Sequence, residues 1–95
     1  MRRKTIHSSD YKSLVALMRA KREERGLSQE TVAECLGITK SQLSKWERRE
    51  RRIDIAEARR YCQAIGLELV DLIAEWEQAL LTESTPVEVP RHPPA

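Results

Sequence analysis

Residues 29–48, QETVAECLGITKSQLSKWER, constrain the fold more than any other stretch of the chain. They read as two short helices joined by a tight turn. Ser28 stands just before the first, where a hydroxyl accepts from the orphan amides of the opening turn. Glu30 and Glu34 put negative charge on that helix, Glu30 close to its positive end. Val32, Ala33 and Leu36 form an apolar stripe that stops at Gly37. Glycine takes a positive φ without steric penalty, so Gly37 can close the helix and turn the chain. Thr39 can cap a second helix, whose apolar positions are Leu43 and Trp46. Ile38 fills the angle between the two helices, and the small Ala33 lets them approach closely.

A helix, a glycine turn and a second helix make the pattern of a DNA-reading helix-turn-helix. The longer run GLSQETVAECLGITKSQLSKWER, residues 26–48, resembles the helix-turn-helix of the phage-repressor type, the XRE/Cro family of bacterial and phage regulators. The match takes in the GLSQ lead-in, Ala33, Gly37, and the apolar Val32, Leu36, Ile38, Leu43 and Trp46. It extends over about residues 14–73. The resemblance implies an all-α, compact five-helix bundle with its third helix in the major groove. It implies a sequence-specific regulator of transcription that binds double-stranded DNA, with no enzymatic activity and no cofactor.

Composition agrees with one small all-α domain. At 95 residues and 40% hydrophobic content the chain can bury a single core, and Phe and Asn are absent. The formal charge of +2 hides an asymmetry. Residues 1–52 hold 14 Lys/Arg against 7 Asp/Glu, while residues 53–95 hold 3 against 8. A basic half around one helix suits a polyanion, and an acidic half leaves a separate face for a partner. No catalytic nucleophile–base pair, metal cluster or phosphate loop is visible. No run approaches the roughly 18 apolar residues that span a membrane. The basic start MRRKTIHSSD lacks the apolar core of a secretion signal, so a cytoplasmic, nucleoid-associated location is expected. Cys35 and Cys62 fall on different helices without metal-ligand spacing; Cys62 reads as a small core residue and Cys35 as partly exposed.

Residues 1–10 read as a basic flexible arm, 11–81 as the helix-turn-helix domain with a long last helix, and 82–95 as a flexible Pro-rich tail. Ser9 or Asp10 is expected to cap a first helix over 11–25, with Leu14, Val15, Met18 and the stem of Arg22 inside and Gly26 at its end. Asp54 and Glu57 spell a capping box. The helix behind it would turn Ile55, Ala58, Tyr61, Cys62 and Ile65 inward. A last helix over 68–81 carries Leu69, Leu72, Ile73, Trp76 and Leu80 on one stripe, with Val70 and Leu81 outside it. Trp76, Ala79 and Leu80 lie at or beyond the family boundary and are dimer candidates; the other reading folds Trp76 back onto the first helix.

The family pairs an arginine four residues before the first glycine with a glutamate late in the recognition helix. Here those positions are Arg22 and Glu47, so the resemblance implies a structural ion pair; the alternative is two exposed charges. Most members carry glycine where Arg49 stands and proline where Ile53 stands. An arginine enters the left-handed region at a cost of roughly 1 kcal/mol or more, so the recognition helix is expected to run on by a turn. Base edges fall to Lys40, Ser41, Ser44 and Lys45, which share one face because helical neighbours lie four apart. Phosphate contacts fall to Gln29, Thr39, Gln42, Arg48, Arg49, Arg51 and Arg52. A repressor binding a palindromic operator as a homodimer is the leading expectation. The alternative is an antitoxin whose acidic half holds a toxin or other protein partner.

Overall fold

A computed structural model of the chain describes residues 8–83. Residues 1–7 of the expected arm and 84–95 of the expected tail lie outside the described residues. Five helices follow in order: α1 (Ser9–Glu24), α2 (Gln29–Leu36), α3 (Lys40–Glu47), α4 (Ile55–Ala64) and α5 (Leu69–Glu83). α3 packs on α2 and α1, α4 on α2 and α5, and α5 closes the bundle against α1. The shared core holds Met18, Val32, Ala33, Leu43, Trp46, Ile53, Ala58, Tyr61, Cys62, Ile65 and Leu72. No helix of the described residues is long and apolar enough to cross a membrane.

Each boundary has a local cause. Ser28 Oγ accepts from the Thr31 amide at 3.0 Å to open α2. Gly37 ends that helix in the left-handed region at φ 72°. Thr39 and Gln42 then close a reciprocal capping box on α3: the Gln42 amide donates to Thr39 Oγ1 at 3.0 Å, and the Thr39 amide to Gln42 Oε1 at 2.9 Å. Asp54 and Glu57 form the same box on α4.

Four sequence expectations are corrected. α1 begins at Ser9, taking in residues assigned to the arm, and its cap is Ser8, whose Oγ accepts from the Tyr11 amide at 3.3 Å. α3 does not run on. It stops at Glu47, and Arg49 takes φ 61°, the only positive φ outside glycine among the described residues. The Glu50 amide donates to the Lys45 carbonyl at 2.8 Å and the Arg49 amide to the Trp46 carbonyl at 3.0 Å. That pairing is a Schellman closure with arginine in the seat usually held by glycine. Its two hydrogen bonds offset the strain of roughly 1 kcal/mol. Ile55, placed in the inner stripe, is 65% exposed. As the first residue of α4 it stands at the rim of an apolar cleft with Tyr11, Leu14, Ile73 and Trp76, beyond the packed layer. α5 runs two residues past its expected end, to Glu83.

Ile53, at the position where the resemblance implies a proline in most members, is buried, and its amide donates to the Tyr11 hydroxyl at 3.0 Å. Proline has no N–H to give, so this link between α1 and the α3–α4 loop belongs to the isoleucine.

Candidate nucleic-acid interface

α3 has two sides with different work. The inner side is fixed at its last residue. Glu47 Oε2 accepts from Arg22 Nε at 2.7 Å and Oε1 from Arg22 Nη2 at 2.9 Å, a bidentate pair with both residues only 6% exposed. Gln29 Nε2 adds a bond to Oε1 at 2.9 Å, and the Tyr61 hydroxyl one to Oε2 at 2.6 Å. One carboxylate therefore ties α3 to α1, α2 and α4. Arg22 Nη1 also donates to the Leu27 carbonyl at 2.7 Å, pinning the loop that leads into α2.

Charge and burial oppose one another at this hub. Burial works against the Glu47 carboxylate, but hydrogen bonds from Arg22, Tyr61 and Gln29 outweigh it and hold its pKa below the usual 4.5. The Glu47 bond raises Arg22 against the desolvation that would lower it. Burial first, and then the bond to Glu47, push the Tyr61 phenol well above its ordinary range. The pair implied by the Arg22 and Glu47 positions is thus present and buried. Tyr61 was placed in the core by spacing alone. A tyrosine at a buried position needs a partner for its hydroxyl, which is the signal that could have joined it to the hub.

The outer side is open. Lys40, Ser41 and Lys45 are exposed and Ser44 is half-buried, so all four candidate base readers share the side away from the core. Lys40 lies 3.8 Å from Glu30 of α2, a loose surface pair. Trp46 is core, as its spacing from Leu43 requires, and its indole N–H is buried with no acceptor.

The candidate phosphate residues divide. Gln29 stands at the first position of α2 but commits its amide nitrogen to Glu47. Thr39 and Gln42 hold each other in the capping box, at the exposed start of α3. Arg51 and Arg52 are exposed on the loop that follows. Arg49 is half-buried, with its Nε enclosed and no hydrogen-bond partner. Arg48 is exposed and holds Glu50 and Ser44.

Among the dimer candidates, Ala79 and Leu80 are half-buried. Trp76 lies back against α1, its Nε1 donating to the Asp10 carbonyl at 2.9 Å. The apolar surface left most open on α5 is Val70 at 69% and Leu81 at 65%. Cys35 is exposed and Cys62 buried, where desolvation raises the Cys62 thiol pKa. Among the described residues no group of three or more His, Cys, Asp or Glu could hold a metal ion.

A family model described as helix-turn-helix matches residues 18–72. The chain is similar to an XRE-family like protein from Pseudomonas syringae pv. tomato str. DC3000, at 35% identity and TM-score 0.73, over 78% of this chain and 90% of that one. It is also similar to a point mutant of the restriction-modification controller protein C.Esp1396I, at 18% identity and TM-score 0.74, over 81% of this chain and all of that one. At that identity the second likeness speaks for the fold alone. A comparison with curated proteins found no significant match.

Proposed function

The chain belongs to the XRE-type helix-turn-helix family of DNA-binding transcription regulators, and on that premise we propose that it is a repressor binding a palindromic operator as a homodimer. The observation that carries the reading is the division of α3. Its inner side is locked by the Glu47 hub, while Lys40, Ser41, Ser44 and Lys45 stand together on the side away from the core. A helix held so firmly from behind can present four side chains to a groove in one register. In the major groove lysine donates to the acceptors of guanine, and serine serves either sense.

Phosphates on either side of the groove are taken by Gln29, Thr39, Gln42, Arg48, Arg49, Arg51 and Arg52, which supply affinity and set register. A single module buries little DNA surface, so tight binding takes two, on half-sites about one helical turn apart. The second half of α5 supports the dimer contact. Ala79 and Leu80 are half-buried and keep part of their apolar surface open, and a surface of that kind suits a two-fold axis.

Selection from a random duplex pool tests the reading. A palindromic site should emerge. Affinity for it should fall with salt at a slope near −0.9 per phosphate neutralised. Lys45→Ala should lose roughly 1–3 kcal/mol of discrimination at one base pair per half-site. A pool that emerges without sequence preference would refute the sequence-specific role. Sedimentation at micromolar concentration separately reads the dimer, and a monomeric protein on a single half-site would overturn it.

A further inference from the structure

Lys40, Ser44 and Arg48 stand four apart and form one ridge on the outer side of α3 and its cap. The Arg48 guanidinium is held on this ridge from two directions. Its Nε and Nη2 donate to the two carboxylate oxygens of Glu50, each at 3.1 Å, and its Nη1 donates to Ser44 Oγ at 2.8 Å. Glu50 reaches back to Arg48 because the left-handed Arg49 reverses the chain between them.

Two consequences follow from counting donors and charge. A guanidinium has five N–H groups in a planar fork, so these three contacts leave one on each terminal nitrogen. That is the donor pair that guanine O6 and N7 accept in the major groove. Glu50 also balances the positive charge, so Arg48 adds little net attraction for phosphate. What remains is a directed set of donors, which base reading requires.

We propose that Arg48 reads a guanine and that Glu50 is the positioning residue that orients its guanidinium, while Ser44, which accepts from Arg48 through its oxygen, stays among the base readers. This rests on the DNA-binding reading of α3 and moves Arg48 from the phosphate set to the specificity set. Lysine in its place would keep the charge and lose the fork.

The test repeats the duplex selection with wild type, Arg48→Lys, Arg48→Ala and Glu50→Gln, with circular dichroism to confirm each fold. Fluorescence anisotropy on the selected duplex, and on duplexes with single guanine replacements, then measures affinity across salt. Arg48→Lys should lose the preference for one guanine per half-site by roughly 5- to 150-fold, with other positions and the salt slope unchanged. Glu50→Gln should keep the same guanine preference but weaken it. Arg48→Lys selecting the wild-type site, or Arg48→Ala flattening the salt slope by about one phosphate with no change of preference, would return Arg48 to the backbone. Undiminished discrimination in Glu50→Gln would remove Glu50 from the positioning role. A wild-type protein that selects no sequence would instead sink the parent reading, and this one with it.

Discussion

Two bidentate arginine–glutamate pairs flank the end of α3, and they differ in everything except their chemistry. Arg22–Glu47 is buried, joins residues 25 apart in sequence, and carries extra bonds from Gln29 and Tyr61. Arg48–Glu50 is exposed, joins residues two apart, and shares only a serine. A buried carboxylate without its partner strands a charge in a medium that cannot solvate it. An exposed pair of the same geometry is screened by water and contributes little to stability. The inner pair therefore fixes where α3 sits, and the outer pair is free to serve recognition.

The largest effect should come from breaking the inner pair. Arg22→Met is expected to cost roughly 3–5 kcal/mol of unfolding free energy, measured by urea titration. The double change Arg22→Met, Glu47→Leu should recover part of that loss. A single mutant as stable as wild type would erase the difference between the two pairs.

Acid should distinguish them next. The folded-state pKa of Glu47 is lowered, so its contribution is present above the unfolded-state value near 4.5 and is lost as pH falls through the lower folded value. The Glu50 carboxyl is also lowered, by its bond to Arg48, but fully in solvent. Melting temperature followed from pH 7 to pH 3 should fall less steeply in the inner double mutant. Glu50→Gln should keep the wild-type profile. Equal acid dependence in all three proteins would contradict the contrast.

Tyr61→Phe removes one bond to a charged, buried acceptor and should cost roughly 1.5–3 kcal/mol. The cost should shrink once Glu47 is gone, when only the 3.4 Å contact of the hydroxyl to the Met18 carbonyl is left, which the triple change with Arg22→Met and Glu47→Leu checks. Smaller still, and opposite in sign, is Arg49→Gly. Relief of the left-handed strain should stabilise the protein by about 1 kcal/mol, less the backbone entropy that glycine adds to the unfolded chain. Its affinity for DNA should meanwhile fall. A less stable Arg49→Gly would show that the arginine side chain outweighs the strain.

The inner half of this arrangement was legible in the sequence. Gly26 and Gly37 end helices where glycine was read as a stop, and Asp54 with Glu57 forms the box its spacing spells. Arg22 and Glu47 meet because the family positions fall on residues able to pair. What was missed depends on contacts between elements. Periodicity places Tyr61 in the core but cannot name the carboxylate its hydroxyl meets. Sequence alone made a longer α3 look cheaper than a left-handed arginine; the Schellman bonds to Lys45 and Trp46 tip that balance. Ile53 in place of proline gives the backbone an N–H there, and only the fold brings the Tyr11 hydroxyl to it. Ile55 fitted the stripe of α4, but a helix can begin before the layer it packs on does.

The claim that the outer side of α3 faces DNA is tested most directly by distance. A selected duplex carrying a nitroxide in its major groove would be added to labelled protein, and amide broadening read residue by residue. Broadening should be strongest over residues 39–45 and 48–52, reach Gln29, and spare the core-facing amides of α4 and all of α5. Broadening centred on α5, with residues 39–45 unaffected, would contradict the account.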